Sequence, residues 1–420
     1  MKTADYISME DQFGAHNYHP LDVVIDRAEG VWVWDVDGRK YLDMLAAYSA
    51  VNQGHCHPRL VNTMREQLPR LTLTSRAFRN DKLGGFYKYV TELTGFDKFL
   101  PMNTGAEAVE TAIKAARKWA YTVKGTPSGH AKILVFDNNF HGRTTTIVGF
   151  STDDQYKEGF GPFTPGFDVV PFGDAEAASR AFEADPHIAA VLIEPIQGEG
   201  GILIPPDGFL GHLRELCNKH QALLICDEIQ SGLGRTGKLF AYEHDGIRPD
   251  IVIVGKALSG GFYPVSGILA DDPVMGVFRP GDHGSTYGGN PVAAVIATEA
   301  LSILVDEKLV EHSAELGTYA TERLQALVTE SKYVREVRGR GLWIGIELHH
   351  DAGGARRFCE ALQHLGVLCK ETHDHIIRVA PPLTISREDL DWGLGHLESV
   401  LTRDWEAEEA PAEAEAVAVG

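Results

Sequence analysis

The stretch 251–261 reads IVIVGKALSGG, and the stretch 222–228 reads ALLICDE. Each opens as a short apolar run that leads to a charged residue, Lys256 in the first and Asp227 in the second. Two further runs have the same character: 132–136 and 189–193. Runs without a polar face are typical of strands that helices cover on both sides. Because helical stretches alternate with these runs, the sequence predicts an α/β protein with a mostly parallel sheet.

The residues that follow the apolar runs carry reactive side chains. In a parallel sheet, ligands bind beyond the carboxyl ends of the strands. An aromatic ring, carboxylates, an amide and cations follow the runs: Phe140, His141, Arg143, Glu194, Glu199, Asp227, Gln230 and Lys256. We therefore expect these side chains to share one edge of the sheet and to form the functional site.

Lys256 and Asp227 are the strongest chemical signals. A lysine is ordinarily a solvated surface charge, but a lysine directly after a buried strand loses hydration, which lowers its pKa. It then becomes a candidate Schiff-base nucleophile. Asp227 fits two interpretations equally well when taken alone. It could cap a helix, or it could keep the pyridine nitrogen of a cofactor protonated.

Two segments are candidates for binding a phosphate group. Thr104–Glu107 (TGAE) has the pattern of a capping box at an ordinary helix start. Gly105 and Ala106 would also let an anion approach the free N–H groups of that helix. The Gly-rich stretch 284–290 could supply hydroxyls to the same phosphate, from Ser285 and Thr286.

Residues 232–238 (GLGRTGK) match most of a phosphate-binding P-loop, so an ATPase is a second hypothesis. Three features argue against it. Leu239 stands where a Ser or Thr must hold magnesium, the loop does not directly follow a strand, and 223–228 is too near to be a separate Walker B strand. Magnesium-dependent ATP hydrolysis by the pure protein would support this alternative.

His55–His57 (HCH) resembles a metal site, but residues so close together rarely chelate one ion, and no second pair stands at zinc-like spacing. We interpret the segment as a loop before a helix that begins at Pro58, and we predict no metal. The five cysteines are odd in number and scattered, so no disulfide framework is expected.

Composition limits the classes of partner. The chain has 420 residues and a formal net charge of -20, which disfavours nucleic acid and anionic lipid as ligands. No stretch is apolar enough to cross a membrane, and no targeting peptide is recognisable, so we expect a cytoplasmic protein. The acidic, Ala-rich tail 404–420 is predicted to be disordered.

The same patterns divide the chain into regions. Residues 1–48 form an N-terminal segment with a small hairpin whose turn is at Asp37–Gly38. Residues 49–300 are expected to form the large ligand-binding domain. Residues 301–403 are expected to form a smaller α/β domain with a strand pair near 341–347 and 376–379.

The order of these motifs resembles that of the class III pyridoxal-phosphate (PLP) aminotransferases. The matching segments are Thr104–Glu107, Phe140–Arg143, Glu194–Pro195, Asp227–Gln230, Gly255–Lys256 and Ser285–Tyr287. The likeness extends from about Tyr6 to about Leu401. It implies a fold-type I enzyme that is a homodimer with active sites at the subunit interface.

The resemblance also implies roles at the cofactor. Lys256 would carry PLP as a Schiff base, and Asp227 would pair with its pyridine nitrogen. Phe140 would stack on the ring, and Gln230 would contact its 3-oxygen side. The other implied cofactor residues are Gly105 and Ala106 at the phosphate, Thr286 from the other subunit, Ser285 and His141.

Within the family, four segments look like those of the ornithine-using members: 16–20, 49–55, 73–78 and 284–290. This implies transfer of the δ-amino group of L-ornithine to 2-oxoglutarate. Tyr18 and Arg143 would hold the α-carboxylate of ornithine, Tyr48 would shape the pocket, and Glu199 would mask Arg378 until 2-oxoglutarate binds.

His141 is a departure from the ornithine pattern, because animal ornithine enzymes have tryptophan there, whereas Phe-His-Gly-Arg is common in acetylornithine relatives. N-Acetylornithine and 4-aminobutyrate therefore remain alternative substrates. A PLP-binding sensor would bind the cofactor without turnover.

Overall fold

The computed structural model describes residues 1–405, so the predicted disordered tail, 404–420, lies almost wholly outside the described residues. The strands are β1 (Ile25–Glu29), β2 (Trp32–Asp35), β3 (Lys40–Asp43), β4 (Lys98–Met102), β5 (Lys132–Phe136), β6 (Phe167–Val170), β7 (Ile188–Ile193), β8 (Leu223–Asp227), β9 (Ile251–Val254), β10 (Ser266–Ala270), β11 (Val334–Gly339), β12 (Ile344–Leu348), β13 (Val367–Leu368), β14 (Lys370–Thr372) and β15 (Ile376–Val379).

The helices are α1 (Thr3–Phe13), α2 (Ala46–Ser49), α3 (Pro58–Gln67), α4 (Leu83–Thr94), α5 (Gly105–Trp119), α6 (Thr145–Val148), α7 (Asp154–Lys157), α8 (Ala175–Ala184), α9 (Phe209–His220), α10 (Asp272–Met275), α11 (Pro291–Asp306), α12 (Leu309–Gln325), α13 (Leu327–Glu330), α14 (Arg356–Leu365) and α15 (Arg387–Thr402). A π-helical turn, Ala120–Lys124, continues α5, and 3-10 turns occupy Ala241–Asp245 and Lys256–Ser259.

The central sheet has seven strands in the order β4-β10-β9-β8-β7-β5-β6. Neighbours from β9 to β6 are parallel, and β10 runs antiparallel to both β9 and β4. The four predicted apolar runs are β5, β7, β8 and β9, each within one residue of its expected bounds. The predicted α/β fold with a mostly parallel sheet is therefore confirmed.

Three strands of this sheet, β4, β6 and β10, were not predicted. β4 contains Pro101, which weakens a strand pattern but is tolerated here because β4 is an edge strand. β6 is the opposite edge and is only partly buried. β10 contains Gly267, where an added Cβ would come within 2.5 Å of the Leu100 carbonyl oxygen. Close backbone contact, invisible in a hydrophobicity pattern, determines that position.

The sheet is covered on both faces because alternate side chains of its strands enter two different hydrophobic clusters. Ile225 and Ile253 pack with apolar residues of α5 on one face. Leu224 and Val252 pack on the other face with residues of α9 and α11. Two-sided burial explains why these strands are apolar throughout.

The N-terminal hairpin is present, with Asp37 and Gly38 between β2 and β3. Its sheet also includes β13, which pairs in parallel with β3. The predicted strand pair of the C-terminal region corresponds to β12 and β15, which are antiparallel neighbours in the four-stranded sheet β11-β12-β15-β14. The expected boundary at residue 300 falls inside α11.

The P-loop-like segment is a turn that joins the central sheet to the C-terminal region. The fully buried Arg235 donates hydrogen bonds to the carbonyl oxygens of Leu342 and Pro381, at 2.8 and 2.7 Å. At Gly237 an added Cβ would come within 2.8 Å of the Ala314 backbone. The segment is therefore explained by packing between regions, without a phosphate ligand.

The HCH segment is a helix entry. α3 begins at Pro58 as predicted, His57 is its N-cap, and His55 Nε2 lies 2.7 Å from Asp43 Oδ2. All five cysteines are free. Within residues 1–405, no helix has the length and hydrophobicity needed to span a membrane.

Candidate active site

Lys256 lies in a strained turn immediately after β9. Its φ of 43° is in the left-handed region, which a residue other than glycine adopts at a cost of about 1–3 kcal/mol. The residue is partly buried, and burial lowers the pKa of its amine to about 8. The amine is therefore far closer to a neutral nucleophile than that of an ordinary surface lysine.

Asp227 and His141 form a buried pair at the end of β8. Nδ1 of His141 lies 2.7 Å from Oδ2 of Asp227, while Oδ1 of Asp227 accepts the N–H of Ile229 at 3.1 Å. Burial alone would lower the pKa of His141. The hydrogen bond to Asp227 and the charges of Asp227 and Glu194 outweigh it and raise that pKa. Nε2 of His141 is buried and has no hydrogen-bond partner among the described residues.

Glu194, at the end of β7, is a second buried carboxyl beside this pair. It accepts the N–H groups of Phe140 and Gly198, at 2.9 and 3.2 Å. Burial, reinforced by the charge of Asp227, raises its pKa to about 7. Glu194 therefore anchors the backbone that presents Phe140.

These groups line one cavity of about 200 Å³. Its wall comprises Gly105, Ala106, Phe140, His141, Gly142, Glu194, Ile196, Asp227, Ile229, Gln230, Ser231 and Lys256. The structure thus brings together most of the residues expected at the cofactor, although they come from five separate stretches of the chain.

The start of α5 closes one end of the cavity. Thr104 Oγ1 accepts the Glu107 N–H at 3.3 Å, and Glu107 Oε2 accepts the Thr104 N–H at 2.8 Å, which confirms the predicted capping box. The N–H groups of Gly105 and Ala106 have no partner from this box. The first turn of a helix attracts anions.

Ser285 and Thr286 do not line this cavity within one chain. Ser285 Oγ accepts a hydrogen bond from Asn103 Nδ2 at 2.8 Å, next to the start of α5. Thr286 is exposed. Neither side chain therefore belongs to the wall of this cavity in one chain, and Thr286 is expected to act from a second copy.

A larger cavity, of about 1010 Å³, contains four of the five residues expected to bind substrate: Tyr18, Tyr48, Arg143 and Glu199. Tyr18 is exposed in the single chain, whereas Tyr48 is half-buried. Gln230 joins the two cavities, because its Nε2 lies 3.4 Å from Glu199 Oε1.

Arg378, the fifth, is almost fully buried behind Glu199. Its Nη1 lies 2.8 Å from Glu199 Oε1, its Nη2 donates to Gln230 Oε1, and its guanidinium carbon is 5.0 Å from the ring centre of Tyr48. Burial alone would raise the pKa of Glu199, but Arg378 and Lys256 lower it. Glu199 thus covers Arg378 as an anion.

The sequence assigns no individual role to two residues of the site region, Glu194 and Tyr156. Glu194 is recognisable in the sequence only as a carboxylate at a strand end. Tyr156 belongs to the short helix α7, and its ring centre lies 4.0 Å from the guanidinium carbon of Arg143. The surrounding sequence, DDQYKEG, is polar and gives no signal that its tyrosine faces a cavity.

Residues 13–401 match the family model for class-III aminotransferases. The chain belongs to the class-III aminotransferase family. An ornithine aminotransferase of Halalkalibacterium halodurans is 55% identical over 399 residues, covering 95% of this chain and 98% of that protein. The family resemblance inferred from the motifs is therefore confirmed.

Solved structures of class-III aminotransferases share the fold. An ornithine aminotransferase of Toxoplasma gondii, described with partial occupancy of PLP at its active site, has a TM-score of 0.94 and 43% identity, covering 95% of this chain and 94% of that one. An acetylornithine aminotransferase of Elizabethkingia anophelis has a TM-score of 0.88 and 47% identity, covering 96% and 99%.

The smaller cavity of this aminotransferase fits PLP. It offers an amine of lowered pKa on Lys256, a carboxylate on Asp227 and an aromatic wall at Phe140. At Gly142, whose φ is 131°, an added Cβ would come within 3.0 Å of the Ala106 Cβ. The backbone is therefore kept open beside the start of α5, where a phosphate would be received.

Proposed function

We propose that this class-III aminotransferase uses PLP to transfer the δ-amino group of L-ornithine to 2-oxoglutarate. The products are glutamate and glutamate 5-semialdehyde, which closes to pyrroline-5-carboxylate. The observation that carries the proposal is the Glu199–Arg378 pair, 2.8 Å between Oε1 and Nη1, beside a cavity lined by Tyr18, Tyr48 and Arg143. The ornithine aminotransferases among its relatives support the same substrate.

The two substrates make opposite demands on one site. Ornithine presents an amine at the reacting carbon and keeps its α-carboxylate far from it. 2-Oxoglutarate presents a carboxylate directly beside the reacting carbon. A guanidinium suits the second substrate because it binds carboxylate through two parallel hydrogen bonds. A free guanidinium would also bind the α-carboxylate of ornithine, and the α-amine would then lie at the reacting position in place of the δ-amine.

The Glu199–Arg378 pair allows one site to bind both substrates. With Glu199 in place, Arg378 is neutralised and the δ-amine is the end of ornithine that can approach Lys256. When 2-oxoglutarate binds, its α-carboxylate replaces Glu199 on Arg378. Arg143 then holds the distal carboxylate, and in the first half-reaction Arg143 and Tyr18 hold the α-carboxylate of ornithine.

Lys256 is the proposed proton carrier. When bound, PLP supplies the electron sink that stabilises negative charge at the substrate carbon. Nζ of Lys256 would act as general base and then general acid, taking the proton from the substrate carbon and giving a proton back later in the cycle. Asp227, which His141 holds, would keep a positive charge on the pyridine nitrogen, and Phe140 would stack against the ring.

The phosphate and the assembly belong to the same proposal. Gly105 and Ala106 bind the phosphate through the start of α5, with Gln230 on the 3-oxygen side. Ser285 and Thr286 complete that site, Thr286 from a second copy, which makes the enzyme a homodimer with shared active sites.

We also propose that the enzyme acts in the cytoplasm, in arginine metabolism and proline biosynthesis. Residues 49–300 form its PLP-binding domain, and residues 301–403 form its small domain.

N-Acetylornithine is the second candidate donor. The Phe140–His141 pair and the 47% identity to an acetylornithine aminotransferase favour it. It would use the same Lys256, Asp227 and Arg143, because it differs from ornithine only in carrying an acetyl group on the α-amine.

A donor panel tests the proposal. The holoenzyme is supplied with 2-oxoglutarate and with L-ornithine, N-acetylornithine or 4-aminobutyrate, and glutamate and the aldehyde product are measured. We expect kcat/KM to be at least tenfold higher for ornithine, with pyrroline-5-carboxylate trapped as its product. A higher kcat/KM for either other donor would reject the ornithine assignment.

A further inference from the structure

Arg143, the proposed carboxylate-binding cation, is not held by an acidic residue. It is exposed in the larger cavity, and within residues 1–405 no carboxylate forms an ion pair with it. An arginine side chain with no anchor occupies many rotamers and must give up that freedom when it binds a ligand. Something else must restrict Arg143 if it is to bind carboxylates well.

Tyr156 lies where it can restrict Arg143. The guanidinium carbon is 4.0 Å from the ring centre of Tyr156 and 5.7 Å from that of Phe140. Tyr156 in turn meets Phe140 edge-on, with 6.0 Å between ring centres and an interplanar angle of 77°. The tyrosine therefore joins the aromatic wall of the smaller cavity to the cation of the larger one.

The backbone around Tyr156 is also held. Asp153 caps α7 by accepting the Gln155 N–H at 2.9 Å, and Tyr156 is half-buried on the wall of the larger cavity. Burial raises the pKa of its phenol, so the ring carries no negative charge at neutral pH. What it offers the guanidinium is the face of a neutral ring.

Stacking is suited to this task. A guanidinium that lies over an aromatic face keeps its N–H edge free for two parallel hydrogen bonds to a carboxylate. An acidic partner would occupy that edge and compete with the substrate. An aromatic ring restricts the rotamers of the arginine and leaves its N–H edge free for the substrate.

We propose that Tyr156 is a positioning residue for Arg143, whose guanidinium it holds by stacking so that substrate carboxylates meet it in a binding geometry. The inference rests on the proposed function, because it assumes that Arg143 binds the carboxylates of both substrates. It predicts that substrate binding depends on the aromatic ring of Tyr156 and does not depend on its hydroxyl.

Three variants and two donors test this. Tyr156→Phe keeps the ring face, Tyr156→Leu removes it, and Tyr156→Met repeats the removal should the leucine variant fail to fold. 1,4-Diaminobutane is ornithine without its carboxylate. Steady-state turnover of the holoenzyme with ornithine and 2-oxoglutarate gives kcat and KM, and single-turnover half-reactions followed by cofactor absorbance compare the two donors.

For Tyr156→Leu we expect the KM for ornithine and for 2-oxoglutarate to rise about three- to fivefold, with kcat changed less than about twofold. Tyr156→Phe should stay within about twofold of wild type in both constants. With 1,4-diaminobutane, loss of the ring should change the half-reaction less than about twofold, because no carboxylate reaches Arg143.

Equal losses with both donors, or unchanged ornithine constants in Tyr156→Leu, would overturn the inference. Adding Tyr156→Leu to Arg143→Ala should cause no further loss with ornithine, and an additive loss would equally contradict it. Failure of the proposed function is a distinct outcome, because the wild-type protein would then prefer another donor or would not turn over ornithine.

Discussion

Glu199 Oε1 accepts hydrogen bonds from both Arg378 Nη1, at 2.8 Å, and Gln230 Nε2, at 3.4 Å. Gln230 Oε1 in turn accepts from Arg378 Nη2, so the three side chains form a closed ring of contacts. Arg378 Nε is buried and has no partner among the described residues. These contacts therefore orient the Arg378 guanidinium for a substrate carboxylate. Until that carboxylate binds, the Glu199 carboxylate occupies the guanidinium.

Glu199→Ala should weaken discrimination between the δ-amine and the α-amine of donors. Without Glu199, Arg378 is free to bind an α-carboxylate in the first half-reaction. We expect the ratio of kcat/KM for ornithine to that for L-glutamate to fall by about tenfold or more, an effect of about 1.4 kcal/mol. Glu92→Ala, at an exposed position, is the control. An unchanged ratio would show that the pair does not act as a switch.

Asp227→Asn should impair turnover while leaving the shape of the site intact. The variant lacks the negative charge that keeps the pyridine nitrogen protonated, and a loss of about 3 kcal/mol in transition-state stabilisation corresponds to a loss of about 100-fold in rate. We therefore expect kcat to fall by about that factor, with the pKa of His141 lowered because burial then dominates. A variant that keeps wild-type kcat would remove Asp227 from the mechanism.

Gly142→Ala should weaken PLP binding and destabilise the protein. The φ of Gly142 is 131°, and the new Cβ would lie 3.0 Å from that of Ala106 in the wall of the smaller cavity. We expect the free energy of unfolding to fall by about 1–3 kcal/mol. Gly84→Ala is the matched control, since a Cβ there meets nothing within 4 Å and the residue lies inside α4. Equal unfolding curves for the two variants would refute this account.

Glu228→Gln should change how stability depends on pH. Burial raises the pKa of Glu228 from 4.5 to about 7, so its protonated form is favoured by folding. That contribution is fully present below pH 4.5 and is lost as the pH rises through about 7.

The glutamine variant removes this titration while retaining an oxygen to accept the N–H of Tyr242. The free energy of unfolding of the variant relative to wild type should therefore rise between pH 5 and pH 8, by up to about 3 kcal/mol. Chemical denaturation at the two pH values measures it. A parallel pH dependence in both proteins would mean that Glu228 is ionised in the fold throughout.

The large sheet could be predicted because two-sided burial leaves an apolar run in the sequence, as in β8 and β9. The apolar pattern is lost in strands whose residues are determined by something other than burial on both faces. β4 tolerates Pro101 at a sheet edge, and β10 requires Gly267 against the Leu100 backbone. The capping box at Thr104 could be predicted because its hydrogen bonds join residues close in sequence.

The site residues that could be predicted are reactive side chains at the ends of buried strands, as Lys256 and Asp227 are. Contacts between distant segments were not. Tyr156 is 13 residues after Arg143 in an unremarkable polar stretch, and only folding stacks the two side chains. The placement of Ser285 beside Asn103, outside the cofactor cavity of its own chain, also depends on tertiary structure.

The most direct test of the central claim is to reduce the holoenzyme with borohydride and to map the modified peptide, with and without prior addition of L-ornithine. We predict that the reduced cofactor is found on Lys256, that ornithine without 2-oxoglutarate abolishes most of that labelling, and that Lys256→Ala binds PLP but makes no multiple turnovers. Labelling of another lysine, or labelling of Lys256 that ornithine does not diminish, would contradict the account.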